Sequence, residues 1–118
     1  MRRIIFLTAS LSLLITSPLF SQTVNDVPIK DIDVKYIEII GSQRSVSSKM
    51  NIEIEFGQKG NLIGSNNTKI KDENGERVLF NSMVDALNFM DKNGYEYLDS
   101  YTTSFNDNST YHYILKKK

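Results

Sequence analysis

Cysteine is absent from this 118-residue chain, and several chemistries go with it. There is no thiol for nucleophilic catalysis, no disulfide to reinforce a small core, and no acceptor for the lipid that anchors bacterial lipoproteins. Tryptophan is missing as well, and histidine occurs once, at His112. A histidine-based metal site would lack companions, and a Ser–His dyad would have to be built around that single side chain. No serine stands in a nucleophile elbow. The apolar stretch near the N-terminus falls well short of the roughly 20 residues that cross a bilayer. Nor does one charge dominate, since 14 Lys and Arg face 14 Asp and Glu. Binding to phosphate backbones needs concentrated cations, which argues against nucleic acid as a partner. Acids and bases are interleaved except at Lys116, Lys117 and Lys118, which read as a frayed C-terminal tail.

What is present begins with an address. "MRR" supplies a basic start and "IIFLTASLSLLI" an apolar run, followed by Pro18 and the short segment "LFSQ". This is the pattern of a secretory signal peptide over residues 1–21, cut between Ser21 and Gln22, and it leads us to expect a periplasmic or secreted protein with no membrane span in its mature chain. Removing Arg2 and Arg3 leaves 12 basic side chains against 14 acidic ones, a net charge of −2. The remaining chain is long enough for one domain, and its core must form without disulfides or be completed by association.

Residues 22–32, "QTVNDVPIKDI", are polar, carry Pro28 and show no sustained period, so they read as an extended, mobile arm. A single α+β domain is expected over 33–118. "DVKYIEIIG" is a strand closing on Gly41, with a slip in alternation at Tyr36–Ile37 that means either a bulge or burial on both faces. "KMNIEIEFG" alternates cleanly: Met50, Ile52, Ile54 and Phe56 fall on one face and Asn51, Glu53 and Glu55 on the other, the signature of a strand covered on one side. The linker "GQKGNLIGSNNT" is glycine-rich but lacks the lysine and hydroxyl residue that a phosphate loop places after its last glycine, so it reads as a flexible loop. "KIKDENGERVLF" reads as a short hairpin around Asn74–Gly75; its "DENG" matches part of a calcium loop, but Ile70 and Asn81 stand where that loop needs carboxylates.

The helix is expected over Met83–Asn93. Ser82 is its N-cap, with Asp85 in a variant of the capping box. Met83, Ala86, Leu87 and Met90 form the apolar stripe, and Gly94 is the stop. Val84 and Phe89 lie off that stripe. Two strands follow, "YEYLDSYTTSF" and "TYHYILK", joined by the turn "NDNS". Simple alternation puts Tyr95, Tyr97, Tyr101, Thr103 and Phe105 on one side of the first strand. On the second it puts Tyr111, Tyr113 and Leu115 on one side, with His112 and Ile114 opposite. Five of the six tyrosines fall here. Tyrosine joins a broad apolar ring to a polar tip and is favoured in binding faces, which makes Tyr97, Tyr101, Tyr111, His112 and Tyr113 the candidate binding residues, for a protein or glycan partner. The competing reading is that these rings are strand formers packed on the core.

The segments "IEIEFGQ", "ENGERVLFNSMVDALNFMDKNGYEYLDSY" and "YHYILKKK" resemble a family of small exported proteins of unknown function from Gram-negative bacteria. That pattern has strands, then a helix ending in Gly-aromatic-Glu, then a Tyr-His-aromatic strand. Tyr95 stands here where the family tends to carry tryptophan. The resemblance implies a fold and an exported location, and no activity, cofactor or catalytic residue.

The fold expected is α+β, an antiparallel sheet of four to five strands with one helix on one face, in the order β-β-(β)-α-β-β. The function expected is a non-enzymatic interaction module, with no cofactor and no metal. The alternatives are a small hydrolase using two carboxylates near the Tyr111–Tyr113 strand, or a self-associating envelope protein that forms homo-oligomers through a sheet face or edge.

Overall fold

The computed structural model describes residues 22–44, 46–59 and 67–118. The expected signal peptide and most of the glycine-rich loop, residues 60–66, lie outside the described residues. The elements in chain order are β1 (Thr23–Val24), β2 (Val27–Pro28), a 3-10 turn (Ile29–Asp31), β3 (Tyr36–Gln43), β4 (Met50–Glu55), β5 (Ile70–Lys71), α1 (Met83–Lys92), β6 (Tyr95–Phe105) and β7 (Asn108–Lys117). Two antiparallel sheets result, one ordered β2-β1-β5 and the other β4-β3-β7-β6. The fold is α+β with a single helix on a sheet, as expected.

The main sheet is built around β7, which pairs with β3 on one side and β6 on the other. The C-terminal lysines are therefore not frayed. Lys117 lies opposite Tyr95 in the ladder and donates its backbone N–H to the carbonyl of Lys35, and the N–H of Lys118 donates to the carbonyl of Gly94. A lysine tail reads as solvated by composition, but backbone pairing is indifferent to side-chain charge when the side chains can reach water from a sheet margin. Lys117 meets Asp33 and Lys118 meets Asp91 in doing so.

In β3, Ile39 and Ile40 are both buried and the register against its neighbours is unbroken. The slip in alternation thus reflects burial on both faces rather than a bulge. Gly41 does not close the strand, which continues to Gln43. Its role is close approach: a Cβ there would lie 2.1 Å from Met83 Sδ, so the missing side chain is the space in which the first turn of the helix sits. Ser82 caps α1 by accepting from the N–H of Asp85, and Asp85 returns a bond one residue earlier than a standard capping box, to the N–H of Asn81. Met83, Ala86 and Met90 are buried against the sheet. Phe89 widens that contact by meeting Phe80 edge-on at 5.2 Å, whereas Val84 faces solvent. Gly94 takes φ +92°, ends the helix, and directs the chain into β6.

One further expectation changes. Residues 22–32 are not an extended arm in the structure. Asn25 and Asp26 both take positive φ and close a two-residue hairpin between β1 and β2, and β1 pairs in turn with β5. Val24, Ile29 and Ile32 enter the core. Three apolar residues without a period were enough, because a two-residue strand and a 3-10 turn bury residues at irregular spacing. A second Asn-Asp pair, Asn106–Asp107, closes β6 onto β7, again with positive φ at both residues. At the DENG segment, by contrast, only Gly75 takes positive φ, and the Asp72 carboxylate accepts from the N–H groups of Asn74 and Glu76. This is an Asx-type turn followed by a glycine bulge.

The docked N-terminal segment yields a test. Ile29→Ala should lower stability by about 2–4 kcal/mol in denaturant unfolding, the ordinary result of emptying a core site. A loss below about 0.5 kcal/mol would mean that the segment is solvated in solution.

Candidate functional site

The tyrosine-rich hairpin is where sequence parity and structure part. Tyr97 lies opposite Leu115, but Asp99 lies opposite Ile114, so β6 carries one extra residue, Leu98, in a β-bulge. Before the bulge, Tyr95 and Tyr97 share the helix-facing side with Tyr111, Tyr113 and Leu115. After it, Tyr101, Thr103 and Phe105 are on the opposite side with His112 and Ile114. The candidate binding residues therefore do not form one row.

On the helix side, Tyr95 is buried and donates its hydroxyl to the carbonyl of Val34 at 2.8 Å, tying the start of β6 to the segment that leads into β3. Burial raises its pKa, opposed by nearby Lys117 and by its backbone hydrogen bond. Tyr111 and Tyr113 are half-buried against the core, which is the packing role weighed above. Tyr97 meets Tyr113 edge-on at 5.7 Å and shares a hydrogen bond of 2.9 Å with Ser100, its ring half exposed.

On the far side, β3, β7 and β6 bring together Glu38, His112, Tyr101 and Thr103. The register makes this unavoidable, because Ile40 pairs with His112 and His112 with Tyr101, while Glu38 and Thr103 sit one pleat away on the same face. His112 Nδ1 lies 2.6 Å from Glu38 Oε1, and its Nε2 lies 3.0 Å from Thr103 Oγ1. The Tyr101 ring stacks on the imidazole at 4.4 Å with planes 5° apart, and its hydroxyl donates to the same Glu38 oxygen at 3.0 Å. His112 is buried under that ring. Both ring nitrogens of His112 are thereby hydrogen-bonded, Nδ1 with the Glu38 carboxylate and Nε2 with the Thr103 hydroxyl. Thr103, His112 and Glu38 so form a hydroxyl–imidazole–carboxylate chain. Glu38 is also the cross-strand partner of Glu55, which places two acidic residues side by side in the β3–β4 ladder. Acyl transfer would further need N–H donors aimed at an oxyanion.

A second polar cluster was invisible to alternation. Glu53, expected on a solvated face, is buried and accepts from the Thr68 hydroxyl at 3.1 Å. Its strand edge is met by residues 68 and 69, through a Glu53–Lys69 bridge and a bond from Ile54 N–H to the Thr68 carbonyl. Arg77 lies in the field of Glu53; burial lowers its pKa and the carboxylate opposes that. Gln58 ties the loop ends together by donating to the carbonyls of Ile54 and Asn67.

Two concavities border the hairpin. One of about 580 Å³ lies between the β3–β4 and β6–β7 turns, where Ser42, Gln43, Arg44, Asn51, Asp107 and Tyr111 help line it. A smaller one of about 200 Å³ separates α1 from the start of β6, with Leu87, Asp91 and Tyr97 on its walls. Neither includes Glu38, Tyr101, Thr103 or His112. Among the described residues no group of three or more His, Cys, Asp or Glu converges as metal ligands, and no helix is long and apolar enough to cross a membrane.

Beyond Tyr95, every residue of β6 is exposed. Phe105 is 79% exposed, Leu98 53%, Tyr97 52% and Tyr101 47%. β6 is also the terminal strand of its sheet, so among the described residues no strand lies beside one side of its backbone. Comparisons with family models, with curated proteins and with solved structures gave no match.

The Glu38 bond raises the Tyr101 pKa above its ordinary 10.0, with the carboxylate charge acting in the same direction. A raised folded-state value means that this contribution to stability is complete below the unfolded value and is lost as pH rises through the folded one. In an alkaline absorbance titration, Glu38→Gln should return one late-titrating tyrosine toward the normal range. The buried Tyr95 should stay late. An unchanged titration in the variant would rule the bond out in solution.

Proposed function

We propose that this chain is an exported, non-enzymatic interaction module that takes up an extended protein segment along the free edge of β6. The observation that carries this reading is the edge itself, eleven residues long and exposed beyond its first residue. An unpaired row of N–H and C=O groups is a template for strand addition, in which main-chain bonds supply affinity and alternate side chains supply selectivity. Exposed Tyr97, Leu98, Tyr101 and Phe105 provide apolar and aromatic contacts on both faces of such an added strand. The stacked Tyr101–His112–Glu38 group acts as a rigid platform, because each of its members is held by another.

Export is supported by the basic and apolar N-terminal pattern, and the resemblance to small exported proteins of Gram-negative bacteria agrees with it. The mature protein would begin at Gln22, which N-terminal sequencing of the periplasmic and extracellular fractions would detect. A second reading, a glycan held in the polar concavity beside the hairpin turn, is favoured by the amide and hydroxyl groups and the Tyr111 ring on its walls.

The two readings separate in one capture experiment from native envelope extract. Phe105→Lys should leave folding within about 0.5 kcal/mol, since the side chain is exposed. It should reduce capture of a protein partner about tenfold, a loss of about 1.4 kcal/mol of binding. Asn51→Ala should affect only a glycan. Protein capture indifferent to Phe105→Lys would overturn the edge reading.

A further inference from the structure

Resting on the edge reading, we infer that the strand received by β6 is the β6 of a second copy of this chain, paired antiparallel about Thr102. The fold blunts or covers its other strand edges. Strand β2 is two residues long and ends in Pro28, which cannot donate. The outer side of β4 is bridged by Phe80 at Met50 and by Lys69 at Glu53. Strand β5 is met by Val78, whose N–H donates to the Ile70 carbonyl. Strand β6 alone among the described strands is long and lateral, and the segment 95–108 carries no lysine, arginine or proline. Those are the residues with which proteins usually blunt an edge.

The register follows from the turn. Residues flanking a two-residue hairpin turn exchange both backbone bonds, so Phe105 and Asn108 form a bonded pair and the pattern alternates from there. Phe105, Thr103 and Tyr101 direct their backbone groups to β7. Ser104, Thr102 and Ser100 direct theirs outward, on the side of the bulge that keeps a regular ladder.

The sequence across those outward positions is close to a palindrome, Ser100-Tyr101-Thr102-Thr103-Ser104. Antiparallel pairing on a two-fold axis at Thr102 puts Ser100 opposite the partner's Ser104, Thr102 opposite the partner's Thr102, and Tyr101 opposite the partner's Thr103. Hydroxyl–hydroxyl and aromatic–β-branched pairs are favourable cross-strand neighbours. Residues 100 to 105 carry no charge, so no like charges meet. The acids Glu96 and Asp99 fall outside the paired hydroxyl segment, with Asp99 opposite the partner's Phe105. The two four-stranded sheets become one continuous sheet, an isologous contact closed by its own symmetry.

The absence of cysteine makes a clean test possible. In the mature chain, Thr102→Cys should form an intersubunit disulfide on mild oxidation, because the paired Cα atoms would lie about 5.5 Å apart, within disulfide range. Ser104→Cys should not, since its counterpart would be several residues away along the axis. In sedimentation velocity the unmodified protein should show a monomer–dimer equilibrium. Thr102→Lys should raise the dimer dissociation constant at least tenfold, with the circular dichroism spectrum unchanged and, at concentrations where both proteins are monomeric, the melting temperature unchanged. Only monomer at millimolar concentration, equal crosslinking at positions 102 and 104, or a dimer indifferent to Thr102→Lys would each overturn the inference. If the protein is monomeric and Thr102→Lys abolishes capture of a different protein, the edge reading stands and the second copy does not. If neither dimer nor edge-sensitive capture is found, both fall.

Discussion

One extra residue in β6 decides which chemistry the surface carries. Were Leu98 paired in a regular ladder instead of bulged out, Tyr101 would share a face with Tyr97 and Tyr113 and lie over the helix side, leaving His112 uncovered on the far side. With it, the strand changes parity midway. Tyr95 stays in the core, where its hydroxyl reaches Val34, while Tyr101 comes to lie flat on His112. The same bulge divides the strand into an acidic, irregular half and an uncharged, regular half. The helix anchor and the polar cluster are thus carried by one strand through a single bulge, which is the way bulges act where they re-aim side chains.

Legibility followed range. Features set within a few residues could be read from the chain: the Ser82 cap, the Met83–Ala86–Met90 stripe, the Gly94 stop, and the alternation that buries Ile52 and Ile54. Features that depend on a partner strand could not. Glu53 alternates as a solvated residue and is buried because Thr68 and Lys69 return to its edge from across the glycine-rich loop. The terminal lysines resemble a tail until β3 and β6 are placed on either side of them. The quartet at His112 draws on three strands, and its sequence separations of 74 residues from His112 to Glu38 and 63 from Tyr101 to Glu38 lie beyond any local pattern. A signal was present all the same. "DVKYIEIIG" and "YHYILK" each offer an isolated polar residue amid apolar ones, and a buried polar side chain nearly always has a hydrogen-bond partner somewhere in the fold.

The two Asn-Asp turns show how little sequence a topology needs when the backbone requirement is strict. A two-residue turn with positive φ at both positions suits the right-handed twist of its strands, and outside glycine few residues other than Asn and Asp accept it. Asn25–Asp26 turns a polar segment into a hairpin that adds Val24 and Ile29 to the core, and Asn106–Asp107 sets the register of β6 on β7. In a chain without disulfides such additions matter, because the surface-to-volume ratio of a small domain leaves little apolar area to spare.

The hydroxyl-rich stretch of β6 makes sense in that setting. A small core cannot cover a four-stranded sheet with one ten-residue helix, so the lateral strand receives little tertiary support beyond its ladder with β7. Serine, threonine and tyrosine suit such a strand: threonine and tyrosine favour extended backbone, and all three remain soluble when exposed. Lysine would keep the edge monomeric at no cost to the ladder, and the chain has 14 lysines and arginines without placing one between Tyr95 and Leu115. Composition therefore supplied the means to block this edge and the sequence places those residues elsewhere. The open side of β6 is left unblocked by where those residues fall, and the proposed contact with another strand rests on that placement.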